Sequence, residues 1–295
     1  MQLKDSLAAA IASLTADNVP SPRMNAELLL MFTLGCDRVY FFAHPERELT
    51  SEEESRYEAA LVERSRGVPA QYITGHQEFW GMDFIVTPAV LIPRPETEHA
   101  VETVLELQVS GVGRQALGPQ TSGAAEPEVR LVDVGTGSGC IALALASELP
   151  TAEVHATDIS SAALEIARAN AVRHQLERRI QFHQTDLLEG MKSGFDLVVS
   201  NPPYVGESEE DQVQLEVRKF EPRSAVFAGP TGTEVIARLI RQAKQVLRPG
   251  GWLVMEISGT IADGVQKLLE GWQEVEIKPD LQSIPRVARA RKPNT

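Results

Sequence analysis

Short apolar runs alternate with helical patterns from residue 129 almost to the end of the chain, and this alternation restricts the fold more than any other feature. Helical patterns separate the runs, notably over 161–174 and 234–246. Strands separated by helices pair in parallel and place helices on both faces of one sheet. The sequence therefore predicts an α/β fold whose ligands bind beyond the carboxyl ends of the strands. The predicted strands are Arg130–Val134, Val154–Asp158, Ile180–Thr185, Phe195–Ser200 and Trp252–Ile257.

The first 70 residues follow a helical pattern and predict a small separate domain. A Ser-Pro pair at 21–22 is typical of a helix start, because proline is tolerated in the first helical turn. Thr50 and Glu53 match a capping box that opens another helix. We therefore expect an N-terminal helical domain over residues 1–70.

The pattern changes again after this domain. Residues 71–92 contain short apolar runs interrupted by glycine and proline, which predicts a β-hairpin linker. A further helix is predicted to begin at Pro95, within a large domain over residues 93–295. The segment 110–128 is rich in Gly, Ser, Gln and Pro and predicts a flexible surface loop.

The charge balance argues against binding to a nucleic-acid backbone. Lys and Arg total 28 against 41 Asp and Glu, which gives a formal net charge of −13. Phosphate contacts need clustered basic residues. The sequence also has no apolar stretch near the roughly 20 residues that span a bilayer, and no signal-peptide pattern. We therefore expect a cytoplasmic protein that binds neither nucleic acid directly nor a membrane.

The metal-binding residue types are scattered through the sequence. Cys36 and Cys140 are the two cysteines, and neither belongs to a CxxC pair. The six histidines occur singly, without HxxxH or HxH spacing. The sequence therefore predicts neither a disulfide framework nor a metal site.

A glycine-rich turn at 135–139 follows an apolar strand with an internal acid and precedes a helical run. Glycines allow a tight turn against which a ligand can lie, and the helix N-terminus offers free N–H donors. A dinucleotide loop would need its third glycine at position 140, where this chain has Cys140. The GxGxG form instead predicts a ligand without a pyrophosphate, such as a nucleoside joined to an amino acid.

Two acids follow the next strands. Asp158 ends its strand 23 residues after Gly135, where a carboxylate can accept hydrogen bonds from both ribose hydroxyls. Asp186 ends the third predicted strand, where it either contacts the adenine amino group or is a solvated strand end. A tight turn without a ligand is the alternative for the glycine loop, and the position of Asp158 favours the ligand.

The loop Asn201-Pro202-Pro203-Tyr204 follows the strand at 195–200, at the same sheet edge as the glycine turn. The prolines fix φ and lack N–H donors, so the backbone carbonyls are held rigidly and stay available. With the carbonyl of Asn201, they can accept both hydrogens of an –NH2 group, and Tyr204 supplies a flat face for stacking. The alternative is an ordinary Pro-rich turn. The glycine turn 66 residues earlier disfavours that alternative.

An acceptor held in this way suits methyl transfer to nitrogen. An amide nitrogen is a poor nucleophile because its lone pair is delocalised into the carbonyl group. Hydrogen bonds from both N–H groups to fixed oxygens raise the electron density on nitrogen, and positioning for in-line attack contributes ~7–11 kcal/mol in the best cases. The two loops therefore predict transfer from S-adenosyl-L-methionine to a planar amide or amine nitrogen.

Over nearly its whole length the sequence resembles the HemK-type protein-(glutamine-N5) methyltransferases, which modify peptide chain release factors. The Asn-Pro-Pro-Tyr loop alone is shared with DNA-adenine and RNA-guanine methyltransferases. The segment Ile-Pro-Arg-Pro-Glu-Thr-Glu at 92–98, joined to an N-terminal helical domain, is far more specific. The segments that carry the resemblance are 66–75, 91–98, 133–139, 201–204 and 221–225.

The resemblance implies a seven-stranded class I methyltransferase domain, which is Rossmann-like, and a small N-terminal helical bundle that helps to grip the release factor. The implied acceptor is the glutamine of the Gly-Gly-Gln loop in class 1 peptide chain release factors. S-adenosyl-L-methionine would be converted to S-adenosyl-L-homocysteine. We expect the enzyme to be a monomer.

The resemblance also implies roles for individual residues. Amide binding is expected from Asn201, Pro202, Pro203 and Tyr204, of which Asn201, Pro202 and Tyr204 are the predicted catalytic residues. Separately from the resemblance, Arg94 and Glu96 are weaker candidates, which either line the acceptor pocket or anchor the segment between the domains. Cofactor contacts are expected from Gly135, Thr136, Gly137, Ser138, Gly139, Asp158, Asp186, Leu187 and Asn201.

Three positions depart from the family pattern. Leu187 stands where the family usually has an aromatic residue that stacks on adenine. Residues 229–232 read Gly-Pro-Thr-Gly instead of Gly-x-Asp-Gly, and 282–286 lack the usual Gly-x-x-Arg pattern at the start of the final strand. These departures bear on cofactor affinity rather than on the class of reaction.

Two other functions compete with this prediction. The first is methylation of adenine in DNA or guanine in rRNA, for which a basic recognition domain is expected. Residues 1–87 carry 7 Lys or Arg against 13 Asp or Glu, which disfavours it. The second is a non-catalytic module that binds the cofactor or the release factor. Such a module would be expected to have lost Asn201 or a loop glycine, and both are present.

Overall fold

The computed structural model describes residues 1–109 and 129–294, with only the backbone of Val109. The predicted surface loop at 110–128 lies outside the described residues. The chain forms two compact units, Met1–His76 with Gln214–Phe220, and Gln77–Val213 with Glu221–Thr295. Among the described residues, no helix has the length and apolar character needed to cross a membrane.

The first unit is helical, as the sequence predicts. The predicted capping box is confirmed, because Glu53 N donates to Thr50 Oγ1 at 3.2 Å and Thr50 N donates to Glu53 Oε2 at 2.9 Å. The helices of this unit are α1 (Leu3–Ala16), α2 (Pro22–Leu34), α3 (Arg38–Ala43), α4 (Ser51–Ser65) and α5 (Ala70–Thr74), with α9 (Leu215–Phe220) from later in the chain.

The start of α2 differs in detail from the Ser-Pro prediction. Pro22 is the first helical residue, but Ser21 lies in the left-handed region at φ 49° and its side chain does not cap the described helix. Asn25 stabilises this turn instead, because its Nδ2 donates to the carbonyl oxygens of Pro20 at 2.8 Å and Ser21 at 3.2 Å. The sequence pattern therefore located the helix start correctly but not the group that stabilises it.

A buried arginine joins the late helix α9 to this unit. The Arg64 side chain is only 3% exposed and forms an ion pair with Glu216. Its Nε donates to Asn25 Oδ1 at 2.7 Å, so the charge also has a neutral partner. A buried charge without partners would be strongly destabilising, which explains why 214–220 packs within this unit.

The predicted hairpin is present but shorter than residues 71–92. Strands β1 (His76–Phe79) and β2 (Met82–Ile85) are joined by Trp80 and Gly81, which both have positive φ, at 55° and 67°. The prediction was wrong at both ends. Tyr72 and Ile73 lie in α5, and residues 90–92 form no strand. The side chains of Val90 and Ile92 are apolar because they are buried, not because they pair in a sheet.

The predicted α/β fold with a seven-stranded sheet is confirmed. Its strands are β3 (Arg130–Val134), β4 (Glu153–Asp158), β5 (Ile180–Gln184), β6 (Phe195–Ser200), β7 (Leu247–Glu256), β8 (Gln273–Pro279) and β9 (Pro285–Arg291). Among the described residues the strand order is β5-β4-β3-β6-β7-β9-β8. The five strands predicted from the apolar pattern pair in parallel, whereas β9 runs antiparallel to both of its neighbours.

Helices cover both faces of this sheet, as the alternation predicts. Leu131 belongs to one core together with Leu143, whereas the next residue, Val132, belongs to the opposite core together with Leu239. Successive residues of a strand point to opposite faces, so a doubly covered strand is apolar throughout. The helices of this unit are α6 (Glu98–Val109), α7 (Cys140–Glu148), α8 (Ser161–Arg173), α10 (Arg223–Val226), α11 (Glu234–Val246) and α12 (Ala262–Leu268).

A buried amide links the glycine turn to the hairpin. Asn170 on α8 is fully buried, and its Nδ2 donates to Ser138 O at 2.9 Å and to Ile85 O at 3.0 Å. Its Oδ1 accepts a hydrogen bond from Ile85 N at 2.7 Å. One side chain therefore satisfies three backbone groups and holds the turn in place.

We predict that Asn170→Ala lowers the free energy of unfolding by about 2–5 kcal/mol, because it leaves buried donors and acceptors without partners. Glu165→Ala, on the exposed part of the same helix, is the matched control and should change it by less than about 0.5 kcal/mol. Denaturant unfolding measures both values. Equal stabilities for the two variants would contradict the linking role of Asn170.

Candidate active site

Two loops begin side by side at the carboxyl edge of the sheet. Val134 and Ser200, the last residues of β3 and β6, are paired in the parallel ladder. Ser200 Oγ also donates to Val134 O at 2.7 Å. Neighbouring strands lie about 4.8 Å apart, so Gly135 and Asn201 leave the sheet from adjacent positions. The structure therefore brings together the two loops that the sequence singles out.

The glycine turn has a backbone that requires glycine. Gly135, Gly137 and Gly139 have φ of 71°, 55° and 86°, which non-glycine residues rarely adopt. A Cβ atom on Gly139 would also lie 2.8 Å from Leu143 Cδ1 and 3.3 Å from the Cβ of Ala167. The third glycine therefore allows close packing against the helix that follows the next strand.

A buried acid supports this turn from below. Asp133 is fully buried, and its Oδ2 accepts hydrogen bonds from Thr136 Oγ1 at 2.6 Å and from Ala142 N at 3.2 Å. Burial raises the pKa of Asp133 to about 7, although both hydrogen bonds oppose the shift. Asp133 was not among the predicted site residues. An acid inside an apolar strand was the signal that could have identified it.

Asp158 contacts the opposite side of the glycine turn. Its Oδ2 accepts a hydrogen bond from Gly137 N and its Oδ1 accepts one from Ser160 N, each at 2.9 Å. Burial raises the pKa of this carboxyl group. Each carboxylate oxygen has two lone pairs, so both oxygens can still accept a hydrogen bond from a ligand.

A cavity of about 350 Å³ lies over these groups, within the second unit. This volume is in the range of sites for small molecules and cofactors. Ten of the predicted site residues line this cavity, so the structure brings most of the predicted site together. They are Arg94, Gly135, Thr136, Gly137, Ser138, Asp158, Asp186, Leu187, Asn201 and Pro203.

Four predicted residues in the described part of the chain lie outside the cavity wall. Gly139 packs against Leu143, Pro202 is buried and Glu96 is exposed. Tyr204 differs most from its expected role as a stacking face. Its ring packs against the core that contains Val132, and its hydroxyl group donates a hydrogen bond to another side chain of the protein.

Asp186 and Leu187, the predicted cofactor contacts after the third strand, both line the cavity, but Asp186 is also bound to another side chain of the protein. Strand β5 ends at Gln184, so Asp186 lies in the following turn and not at the strand end. Asp186 forms an ion pair with Arg238, which also lines the cavity. Leu187 has φ of 55° and contributes an apolar surface. An arginine therefore stands at this part of the wall, which the sequence pattern did not predict.

Arg94 lines the cavity and is also anchored. It forms an ion pair with Glu221, whose side chain is 1% exposed. Glu221 Oε2 in addition accepts a hydrogen bond from Ile92 N at 3.1 Å. This buried carboxylate connects the segment around Arg94 to the segment at 221–225. Its role was not visible from sequence because 127 residues separate Glu221 from Arg94.

A second buried carboxylate contacts the Asn-Pro-Pro-Tyr loop. Asn201 Nδ2 donates to Thr97 Oγ1 at 3.0 Å, and Thr97 Oγ1 donates to Glu256 Oε2 at 2.6 Å. The Tyr204 hydroxyl donates to Glu256 Oε1 at 3.2 Å. Burial raises the pKa of Glu256 and that of Tyr204. The amide nitrogen of Asn201 is therefore engaged, and its carbonyl oxygen is the atom available to a ligand.

Comparison with known families identifies both parts of the chain. The model described as "PrmC N-terminal domain" matches residues 5–75. The model described as "Methyltransferase small domain" matches residues 120–219, which include the glycine turn and the Asn-Pro-Pro-Tyr loop.

Curated relatives match over almost their full length. The release factor glutamine methyltransferase of Koribacter versatilis is 52% identical, and the match covers 100% of both chains. The protein of the same name from Rhodopirellula baltica is 38% identical over 92% of this chain and 90% of its own. Among solved structures, the catalytic domain of hMettl16 in complex with an RNA hairpin from the MAT2A 3'UTR has a TM-score of 0.55 at 17% identity, covers 82% of each chain and shows the shared class I fold. The chain belongs to the release factor glutamine methyltransferase family.

Proposed function

We propose that this chain transfers a methyl group from S-adenosylmethionine to the side-chain nitrogen, N5, of the glutamine in the Gly-Gly-Gln loop of class 1 peptide chain release factors. One observation carries the proposal. The loop that begins at Asn201 and the turn that begins at Gly135 leave adjacent strand ends and line one cavity. A nitrogen acceptor and a nucleoside cofactor can therefore be held next to each other.

The residues around the cavity fit S-adenosylmethionine. The positive φ angles of the glycine turn keep Cβ atoms out of the space beside the backbone. Asp158 has free lone pairs for the two ribose hydroxyls, and Leu187 offers an apolar contact for adenine. When bound, the cofactor supplies a methyl group on a sulfonium sulfur, which keeps the electron pair of the broken S–C bond and leaves S-adenosylhomocysteine.

The chain's own contribution is to hold and orient the glutamine amide. Its two N–H groups donate to Asn201 Oδ1 and to a backbone carbonyl of the two prolines, which fixes the nitrogen and directs its lone pair towards the methyl group. The nitrogen becomes cationic as the N–C bond forms and then loses a proton to water. Because this proton is acidic, the site needs no strong general base.

The charge of the chain also supports a protein acceptor in preference to a nucleic acid. A formal net charge of −13 opposes close approach to a nucleic-acid backbone, and the curated relatives carry the name of a protein-modifying enzyme. Methylation of adenine or guanine is therefore not favoured. We further propose that the enzyme acts as a monomer in the cytoplasm, where release factors work.

The acceptor can be tested directly. We predict that the protein transfers label from S-adenosylmethionine to a class 1 release factor, but not to a variant with Ala in place of the glutamine of its Gly-Gly-Gln loop. Duplex DNA and rRNA should stay unlabelled. Transfer to either nucleic acid, or equal transfer to the Gln→Ala release factor, would overturn the proposal.

Substitutions in the acceptor loop and beside the glycine turn should change different kinetic quantities. We predict that Asn201→Ala lowers kcat by ~10³-fold or more, because an oriented acceptor oxygen is lost, and leaves the Kd of S-adenosylmethionine nearly unchanged. Asp158→Ala should instead raise that Kd about 10- to 100-fold, because two hydrogen bonds to a carboxylate are lost. Calorimetric titration and single-turnover kinetics separate the two effects. If both substitutions changed the same quantity, kcat alone or the Kd of S-adenosylmethionine alone, the assignment of separate roles would be wrong.

Gly232 determines where the backbone of the Asn-Pro-Pro-Tyr loop can lie. It has φ of 83°, and a Cβ atom there would be 2.5 Å from Tyr204 O. The Gly-Pro-Thr-Gly segment at 229–232 therefore keeps the glycine that the close approach requires, although its third residue departs from the family pattern. Gly271 has nearly the same φ, 82°, and in the described part of the chain, its sequence neighbours aside, no atom lies within 4 Å of the added Cβ.

This pair of glycines allows a controlled test of the loop position. We predict that Gly232→Ala lowers kcat on the order of 10²-fold, because Tyr204 O must move and the acceptor loop moves with it. Gly271→Ala introduces the same backbone strain, about 1–2 kcal/mol, without the contact. It should therefore lower the melting temperature but not kcat. Equal kcat values for the two variants would refute the link between Gly232 and the acceptor loop.

A further inference from the structure

A fully buried carboxylate stands behind the acceptor loop and is not part of the cavity wall. Glu256 is 1% exposed and ends β7, the strand next to β6 in the sheet. Its two oxygens accept hydrogen bonds from Thr97 Oγ1 at 2.6 Å and from the Tyr204 hydroxyl at 3.2 Å. Among the residues that the structure describes, Glu256 forms no ion pair, and burying such a carboxylate costs free energy that an apolar residue would avoid. Such a group is more typical of a functional site than of a core.

The network has a direction because ionised carboxylates only accept hydrogen bonds. Thr97 has one hydroxyl proton and donates it to Glu256, so Thr97 Oγ1 can only accept from Asn201. The Nδ2 group of Asn201 therefore faces Thr97, at 3.0 Å, and Oδ1 faces the other way. With the amide reversed, a donor group would meet the donors of the glutamine amide, and the acceptor could not be held.

We propose that Glu256 is a positioning residue, which acts through Thr97 to keep Asn201 Oδ1 towards the acceptor nitrogen and holds Tyr204 at the other end of the same loop. This inference rests on the proposed methylation of glutamine. It also gives a role to Thr97, which has none in the proposed mechanism. Thr97 belongs to the specific segment Ile-Pro-Arg-Pro-Glu-Thr-Glu. Within that segment Glu96 is exposed and outside the cavity, whereas the buried Thr97 connects the buried Glu256 with the half-buried Asn201.

The protonation state of Glu256 should matter for the same reason. A protonated Glu256 can donate to Thr97, which can then donate to Asn201 Oδ1, so the amide is no longer held in one orientation. Burial raises the pKa of Glu256 above its ordinary 4.5, and the hydrogen bonds from Thr97 and Tyr204 oppose this shift. The charged and titratable groups that face it are Arg286, Glu96 and Tyr204, and its charge also acts on Cys140.

The test uses two substitutions at one position. Thr97→Val keeps the shape of the side chain and removes the hydroxyl group, whereas Thr97→Ser keeps the hydroxyl group and removes a methyl group. We expect Thr97→Val to lower kcat with the release factor on the order of 10²-fold, with little change in the Kd of S-adenosylmethionine. Thr97→Ser should recover most of that loss. Equal losses in the two variants would indicate a packing role and overturn the proposal.

Glu256→Gln provides a second arm through the pH profile. The kcat of the unsubstituted enzyme should fall as the pH is lowered through the raised pKa of Glu256, and this acid limb should be absent in Glu256→Gln, whose kcat is low at every pH. Asp196→Asn is the control, because Asp196 lies at the start of β6 and accepts from Arg130 N at 2.7 Å, away from the cavity. It should lower the melting temperature and leave the acid limb in place.

The outcomes distinguish this inference from the proposed function. If the unsubstituted enzyme does not methylate the release factor, the proposed function fails. If it does, and kcat of Thr97→Val stays within a few-fold, the positioning role fails alone. The pH profile of the unsubstituted enzyme needs no variant to fold. A kcat that is independent of pH down to the onset of acid unfolding would also contradict the role of Glu256.

Discussion

The pairing of β3 with β6 is the interaction on which the rest of the site depends. It places Val134 and Ser200 opposite each other at the carboxyl edge of the sheet, and the Ser200 hydroxyl adds a bond to Val134 O. The positions of the acceptor loop and of the glycine turn both depend on this register. A shift by one residue would turn the side chains of β6 to the opposite face and separate the acceptor loop from the glycine turn. The apolar strands therefore contribute to function mainly by fixing where two short loops begin.

Buried polar groups then convert this register into defined loop positions. Asp133 and Asn170 hold the glycine turn, and Glu221 holds the segment that carries Arg94. Glu256 contacts one end of the acceptor loop directly, at Tyr204, and the other end, at Asn201, through Thr97. Asn170, Glu221 and Glu256 bind groups from distant parts of the chain, whereas Asp133 binds Thr136 and Ala142, which are close to it in sequence. Buried networks of this kind specify one arrangement only when their hydrogen bonds are formed.

Local patterns in the sequence predicted the elements whose signals are themselves local. The central parallel strands β3 and β6 are mostly apolar because both of their faces are covered, and the glycine turn and the Asn-Pro-Pro-Tyr loop are short contiguous motifs. Strand β8 gave a weak signal, because it carries charged residues such as Glu274, Glu276 and Lys278 near the edge of the sheet. Tyr72 and Ile73 suggested a strand, but Gly75 ends a short helix there in a left-handed conformation.

The supporting side chains could not be predicted for a different physical reason. Glu256 and Thr97 are 159 positions apart, and Asn170 is 85 positions from Ile85, so no spacing in the sequence connects them. Their partners become apparent only after the strand order and register are known. The expected stacking role of Tyr204 likewise followed from its chemistry alone, whereas its hydrogen bond to Glu256 depends on the tertiary fold.

The most direct test of the account is a structure of the enzyme with S-adenosylhomocysteine and a class 1 release factor. We predict that the glutamine amide nitrogen lies about 3 Å from Asn201 Oδ1 and that Asn201 Nδ2 remains bonded to Thr97. The sulfur of the cofactor should lie on the far side of that nitrogen, over the glycine turn. A glutamine amide bound away from Asn201, or one that faces its Nδ2 group, would contradict the central claim.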